Sequence, residues 1–315
     1  MKKFVVTGAT SFIGVHLIER LLEEDCIIYA VIRPNSSNAY RLPVSDRVKV
    51  IELDLSRIED LLNYIHEKEV DAFYHLAWEG TRVPYRDDKE LQNRNYEGAI
   101  KVANISIKLG TKLFVGSGSQ AEYGKFNGKV DETYPCKPIT EYGKAKYRAY
   151  LDIKELMNRN GVRFIWTRIF SVFGKYDYSG TLIMSSLKKL LSNAPIDMTA
   201  CTQMWDFISV KDVADVFAKF PSEKCENGVY NIASGDAKPL HVFVENMKKI
   251  TKSDSLLNFG VMPYGKEGPV SFEPVVDKLK NELKWKPNIS FEDGIKELIS
   301  DEEANEKDKY INTNI

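Results

Sequence analysis

The sequence predicts an α/β protein: a doubly wound parallel sheet followed by a smaller C-terminal α/β lobe. Three observations predict it. Strand and helix signals alternate through the first half of the chain. The strands are apolar along their whole length, and a glycine-bearing turn joins the first strand to the first helix. Strands apolar on both sides belong in a sheet covered on both faces, and right-handed helical crossovers supply that cover.

The elements follow in order. Lys3–Val6 is a short buried strand. Helical apolar spacing runs from Phe12 to Glu24, through Ile13, Leu17, Ile18, Leu21 and Leu22. Ile27–Ile32 is a second strand and Val48–Leu53 a third, with Leu61, Leu62 and Ile65 on a following helix. Asp71–Leu76 is a fourth strand. A long helix is expected from about Asp88 to Leu109, closed by Gly110. Lys112–Val115 is a fifth strand, Thr140–Asn160 a second long helix closed by Gly161, and Phe164–Ile169 a sixth strand. After Phe170 the pattern loosens. Loop-like stretches enclose a helix over Leu182–Leu191, Asp212–Phe220 reads as helix and Val229–Ile232 as strand. The division expected is 1–170 for the sheet domain, with part of 205–235 returning to it, 171–300 mainly for the second lobe, and a polar, frayed tail over 301–315.

The bulk numbers narrow the function. The chain has 315 residues, 43% hydrophobic and 28% charged, with a formal net charge of -1. That balance gives no electrostatic footprint for nucleic acid or for a membrane surface. The four cysteines, Cys26, Cys136, Cys201 and Cys225, show neither metal-ligand nor disulfide-dense spacing. They read as thiols of a reducing compartment, and no metal is expected. The chain enters a strand at once and has no apolar run of membrane-spanning length, so the expectation is a cytoplasmic protein.

The turn after the first strand reads Thr7-Gly8-Ala9-Thr10-Ser11-Phe12-Ile13-Gly14. Glycine permits the tight turn and lets the backbone approach a pyrophosphate, which the helix N-terminus stabilises. Ser11 stands where the usual three-glycine pattern has its middle glycine, and its hydroxyl is able to donate to a phosphate oxygen. This is the fingerprint of a Rossmann dinucleotide site. An acidic residue after the second strand would hold a free ribose hydroxyl; this chain has Arg33-Pro34-Asn35-Ser36-Ser37. Arg33 and Ser36 suit a 2′-phosphate, with Arg41 assisting, so NADP(H) is favoured and NAD(H) is the alternative. Asp54 and Leu55 follow the third strand, where the adenine would lie; Asp54 is a contact to the adenine amino group or a helix cap.

Tyr142 and Lys146 are four apart on a helix and share a face. An isolated tyrosine near pKa 10 is a poor acid–base group at neutral pH. A nearby ammonium favours its phenolate, and Lys146 is also able to hold ribose hydroxyls. Ser119, upstream, supplies a hydroxyl to orient a carbonyl oxygen. With the glycine loop, the three make a hydride-transfer site.

These residues carry a resemblance. The glycine loop, His75-Leu76-Ala77, Ser117-Gly118-Ser119-Gln120-Ala121-Glu122-Tyr123-Gly124 and Tyr142-Gly143-Lys144-Ala145-Lys146 resemble the extended short-chain dehydrogenases/reductases of the nucleotide-sugar epimerase/dehydratase group. Trp205-Asp206-Phe207-Ile208-Ser209-Val210-Lys211-Asp212-Val213, Tyr230-Asn231-Ile232 and Leu283-Lys284-Trp285-Lys286-Pro287 with Glu292-Asp293-Gly294-Ile295 carry it almost to the end. The resemblance implies Thr10, Phe12, Ile13, Leu76 and Ala77 beside the cofactor. It also implies a lobe for a nucleoside-diphosphate sugar, and a homodimer through the two long helices. Trp78 follows the fourth strand, in reach of the sugar. Trp205 stands where the family often has Arg, Ser171 where many members have Asn, and Lys266 near another frequent Arg. All three are candidate substrate contacts.

Dehydratases of the group follow the active hydroxyl with an acidic pair or a Glu. Gln120 and Ala121 stand there instead, and neither exchanges protons at neutral pH. The expectation is therefore NADP(H)-dependent reduction of the 4-keto group of a nucleotide-linked 4-keto-6-deoxyhexose. The alternatives are a nucleotide-sugar 4-epimerase with tightly bound NAD(P), and a non-catalytic NADP-binding regulatory protein.

Overall fold

The computed structural model describes residues 1–66, 69–222, 225–264 and 270–313. Seven parallel strands form its central sheet: β1 (Lys2–Thr7), β2 (Cys26–Ile32), β3 (Val48–Glu52), β4 (Ala72–His75), β5 (Leu113–Ser119), β6 (Arg163–Ile169) and β7 (Gly228–Ile232). Their order across the sheet is β7-β6-β5-β4-β1-β2-β3. The order reverses between β1 and β4, where Thr7 lies opposite His75. Ligands of such sheets bind beyond that reversal, at the carboxyl ends of the strands.

Period-two alternation assigns each strand to two cores. Phe4 and Val6 face one cluster with Leu17, Ile18 and Val213, so α1 (Phe12–Leu21) and α5 (Val210–Lys219) cover that side. Val5 faces the other, with Phe73, Val102 and Ile153, so α2 (Lys89–Lys108) and α3 (Glu141–Arg159) cover the opposite side. A third cluster, built on Phe173, Leu187, Phe207 and Phe243, holds the C-terminal lobe. That lobe contains α4 (Leu182–Leu191) and α6 (Leu240–Thr251). After it, α7 (Asp277–Glu282) packs on β7, and α8 (Phe291–Thr313) packs on α6.

Three elements depart from the sequence reading. The expected helix after β3 is a 3-10 stretch, Leu55–Asn63, with non-helical angles at Arg57. β5 runs on to Ser119 through Gly116, Ser117 and Gly118, residues of low strand propensity. The Trp166 indole of β6 lies flat against both glycines, and a Cβ at either would collide with it. That packing carries Ser117 and Ser119 to the sheet's carboxyl edge. The expected frayed tail is, as far as Thr313, a continuation of α8. Its Glu, Ala and Lys residues are good helix formers, so polarity there does not mean coil.

Candidate functional site

A cleft of about 500 Å³ opens above the sheet reversal. Its wall includes Gly8, Thr10 and Ser11 after β1, Arg33 and Ser36 after β2, Asp54 and Leu55 after β3, and Leu76, Ala77 and Trp78 after β4. Gly8 sits at φ +71°, and a Cβ there would lie 2.7 Å from the Ala77 nitrogen. No other residue fits both the angle and the space. Ser11 caps α1: its hydroxyl oxygen accepts from the Gly14 N–H at 3.2 Å, which leaves its own proton free to donate. Phe12 and Ile13 begin α1, where helical N–H groups lack intrahelical acceptors. Their side chains pack inward, Ile13 on the core and Phe12 edge-on to His16. A floor without side chains, a helix N-terminus and free donors fit a pyrophosphate-bearing dinucleotide.

At the adenine end, Asp54 both lines the cleft and caps the 3-10 stretch, accepting from the Ser56 N–H at 2.8 Å. The Ser56 hydrogen bonds hold its carboxyl below the usual range. Thr10 and Ser36 face each other, hydroxyl to hydroxyl, at 3.3 Å. Arg33 is exposed on the rim and has no ion pair among the described residues. Arg41 is not on the cleft wall: its guanidinium lies over the Tyr176 ring, 4.7 Å from the centroid, a cation–π contact.

The candidate reactive corner lies where β5 meets α3. Ser119 caps the short turn after β5, its hydroxyl accepting from the Ala121 N–H at 3.2 Å, and it lies beside the Tyr142 phenol. Burial pushes Tyr142 above the ordinary phenol value; the Ser119 hydroxyl and the nearby Arg86 charge pull it back, and Glu122 opposes them. Lys146 is 2% exposed and donates to the Ser117 carbonyl at 2.6 Å. Its ammonium lies 3.8 Å from the Trp78 ring centroid and 5.9 Å from that of Tyr142. Burial pulls Lys146 down to about 7. Trp78 thus touches two members of the corner, edge-on to Tyr142 at 6.3 Å, and its N–H donates to Gln92. His75, held by Thr7 at 2.8 Å, is driven by burial down to about 3 and stays neutral.

Glu122 points away from the corner. Its carboxylate accepts from the Ser119 N–H at 2.8 Å, the Trp166 N–H at 2.9 Å and the Arg168 Nε at 3.1 Å, fully buried. Breaking such a pair strands a buried guanidinium. Glu122→Ala is expected to cost about 3–5 kcal/mol of stability, read by urea denaturation; a loss below about 1 kcal/mol would match a surface pair instead.

Two positions that depart from the family pattern meet each other. The Trp205 indole N–H donates to the Ser171 hydroxyl at 2.9 Å, and its ring packs edge-on to Phe272 at 4.7 Å. Lys266 lies outside the described residues. Asp206 and Asp212, which help carry the resemblance, are ties. Asp206 accepts from the Ser234, Gly235 and Asp236 N–H groups, and Asp212 from those of Asn288 and Ile289. Sequence reasoning missed Gln92 and Asn95, whose side chains pin the loop after β4 at Gly80 and Glu79. It also missed Arg94 and Lys101 on the cleft wall. A Gln facing the apolar stripe of α2 was the available signal.

No helix among the described residues is long and apolar enough to cross a membrane. Among the same residues, no cluster of three or more His, Cys, Asp or Glu side chains has the placement to hold a metal.

Comparison with known proteins agrees with this geometry. The profile of the NAD dependent epimerase/dehydratase family matches residues 4–233. The chain is 27% identical to the CDP-abequose synthase of Salmonella muenchen, over 95% of this chain and 97% of that one. It is 25% identical to the dTDP-6-deoxy-L-talose 4-dehydrogenase (NAD(+)) of Aggregatibacter actinomycetemcomitans, over 76% of this chain and 87% of that one. The UDP-glucuronic acid 4-epimerase of Bacillus cereus, solved in complex with NAD, superposes with a TM-score of 0.80 at 21% identity, covering 93% and 94% of the two chains. With most of its length matched by that profile, the chain belongs to the NAD dependent epimerase/dehydratase family, as a nicotinamide-dependent enzyme of the extended short-chain dehydrogenase/reductase type.

Proposed function

We propose that the protein reduces the 4-keto group of a nucleotide-linked 4-keto-6-deoxyhexose, with NADPH as the reductant and Ser119, Tyr142 and Lys146 as the acting residues. The observation that carries this reading is the corner itself. A buried phenol beside Ser119 packs edge-on to Trp78 of the cleft wall, and the carboxylate that acts on it, Glu122, is committed elsewhere. Bound NADPH supplies a hydride. Tyr142, held above its ordinary value by burial, keeps its proton at neutral pH, which is the state a reduction needs. Ser119 orients the oxygen that receives that proton. Elimination of water would need a carboxylate free to exchange protons, and Gln120 and Ala121 offer none.

The relatives support the substrate class. One is named for oxidation at position 4 of a dTDP-linked 6-deoxyhexose, and another for making a CDP-linked sugar. Arg33 and Ser36 on the rim support a 2′-phosphate, while the relatives with NAD make NAD(H) the competing cofactor. Arg33→Ala is expected to raise the KM for NADPH roughly ten- to a hundredfold, the worth of a charged hydrogen bond, and to leave NADH little changed. Equal losses for both would remove the 2′-phosphate reading. The homodimer through α2 and α3 belongs to the same proposal and is checked by sedimentation.

The test is consumption of NADPH and NADH with 4-keto-6-deoxyhexoses linked to dTDP, CDP, GDP and UDP. Consumption with one of them, faster with NADPH, supports the reading and names the nucleotide. Inversion of a nucleotide hexose at C4 without net consumption makes the protein an epimerase acting through the same three residues.

A further inference from the structure

We propose that Arg86 is a positioning residue for this reaction, a permanent positive charge held over the Tyr142 ring to favour its phenolate. The inference rests on the reading of Tyr142 as the proton donor. The Arg86 guanidinium carbon lies 5.4 Å from the Tyr142 ring centroid, closer than the Lys146 ammonium at 5.9 Å. Lys146 is turned aside, onto the Ser117 carbonyl and the Trp78 face. Arg86 has no such diversion. Its Nε is buried without a hydrogen-bond partner, and Arg86 forms no ion pair among the described residues. A buried, unspent donor beside the reacting phenol is costly to keep and calls for a role.

The loop that carries Arg86 is built to hold it there. The buried Gln92 amide donates to the carbonyls of Gly80 at 2.9 Å and Tyr85 at 3.1 Å. The Arg86 N–H closes a turn onto the Arg82 carbonyl at 2.9 Å. Asp87, the next residue, accepts from the Glu141 N–H at 3.1 Å, which ties the loop to α3 one residue before Tyr142. Neighbouring charges are spent elsewhere: Arg82 on Asp177, and Glu141 on Lys144. The groups around the phenol are therefore Arg86 from the loop after β4, Ser119 at the end of β5, Lys146 from α3, and Glu122 of the turn after β5, whose carboxylate is turned away but still acts through its charge. Of these, Ser119 and Arg86 favour the phenolate and Glu122 opposes it. A lysine pulled down to about 7 is only partly charged near neutrality, whereas a guanidinium stays charged.

The chemistry is balanced without a further reactant. As the carbonyl oxygen gains the Tyr142 proton, negative charge appears on the phenol oxygen, and a fixed cation over the ring lowers the energy of that product. Loss of the cation should weaken Tyr142 as an acid without touching cofactor binding.

The experiment compares wild type, Arg86→Gln and Arg86→Lys, each loaded with NADPH. Tyr142 is titrated through the ring-carbon resonance of labelled tyrosine, with Tyr142→Phe supplying the assignment. Arg86→Gln should move the Tyr142 titration up by about one pH unit. The alkaline limb of keto-sugar reduction should move with it, kcat should fall about tenfold, and NADPH affinity should hold. Arg86→Lys should restore most of both. A Tyr142 resonance that behaves alike in wild type and Arg86→Gln overturns the proposal, whatever happens to activity. If the titration moves but no keto sugar is reduced, the substrate reading falls and the placement of Arg86 stands.

Discussion

Tyr142→Phe is expected to lower kcat roughly a hundred- to ten-thousandfold, the usual contribution of a positioned acid, with NADPH still bound. Phenylalanine keeps the ring that packs edge-on to Trp78 and removes only the hydroxyl beside Ser119. Folding should be preserved, because even a side-chain hydrogen bond lost with that hydroxyl would be worth only about 1 kcal/mol. Cofactor binding is followed through tryptophan fluorescence, since Trp78 lines the cleft, and turnover through nicotinamide absorbance. The direction of the wild-type pH dependence follows from the same phenol. Reduction needs Tyr142 protonated, and burial holds it above the ordinary value. The rate therefore survives into alkaline pH and falls only as pH passes that raised value. An unchanged kcat in Tyr142→Phe would take the residue out of the reaction and return the non-catalytic, cofactor-binding reading.

What was legible in the sequence is what depends on near neighbours along the chain. Apolar runs such as Phe4–Val6 place the strands, and the ends of α2 and α3 fall within a residue or so of the positions their glycines and caps suggest. Tyr142 and Lys146 share a helical face, so their pairing follows from spacing alone. What was not legible depends on distant partners. β5 passes Gly116 and Gly118 because Trp166, on another strand, fills the space above them. Glu122 follows Ser119 by three residues, and only Trp166 and Arg168, from another strand, decide that its carboxylate turns inward. Arg41 reads as a second phosphate contact assisting Arg33, whereas its guanidinium lies over the Tyr176 ring. Arg86 gave no signal, because a single Arg in a loop acquires meaning only from the ring beneath it.

Lys146→Met is expected to separate two properties that Lys146 combines: turnover should fall and stability should rise. The fall follows from position. Lys146 is the one cation of α3 that reaches the corner, between Trp78 and Ser117, and loss of that anchor should reduce kcat/KM about a hundredfold, as a misplaced reactant does. The rise follows from the pKa. Burial pulls Lys146 from 10.5 down to about 7, so the folded protein holds this proton less tightly than the unfolded chain does. Between about 7 and 10.5 the unfolded chain binds more protons, and stability contributed by this group increases with pH. The penalty is full below about 7, where a charged lysine is forced into the core, fades between about 7 and 10.5, and is absent above 10.5. Methionine carries no such penalty and has similar bulk. The lost Ser117 bond offsets part of the gain, leaving Tm higher by a few degrees, on the order of 1–2 kcal/mol. The increment should be larger at about pH 6 than at about pH 10, because Lys146 is the one titrating group that the two proteins do not share. Thermal unfolding of the two proteins at both pH values is the measurement. A Tm increment independent of pH would mean that Lys146 titrates like an exposed lysine, and that burial does not set its charge.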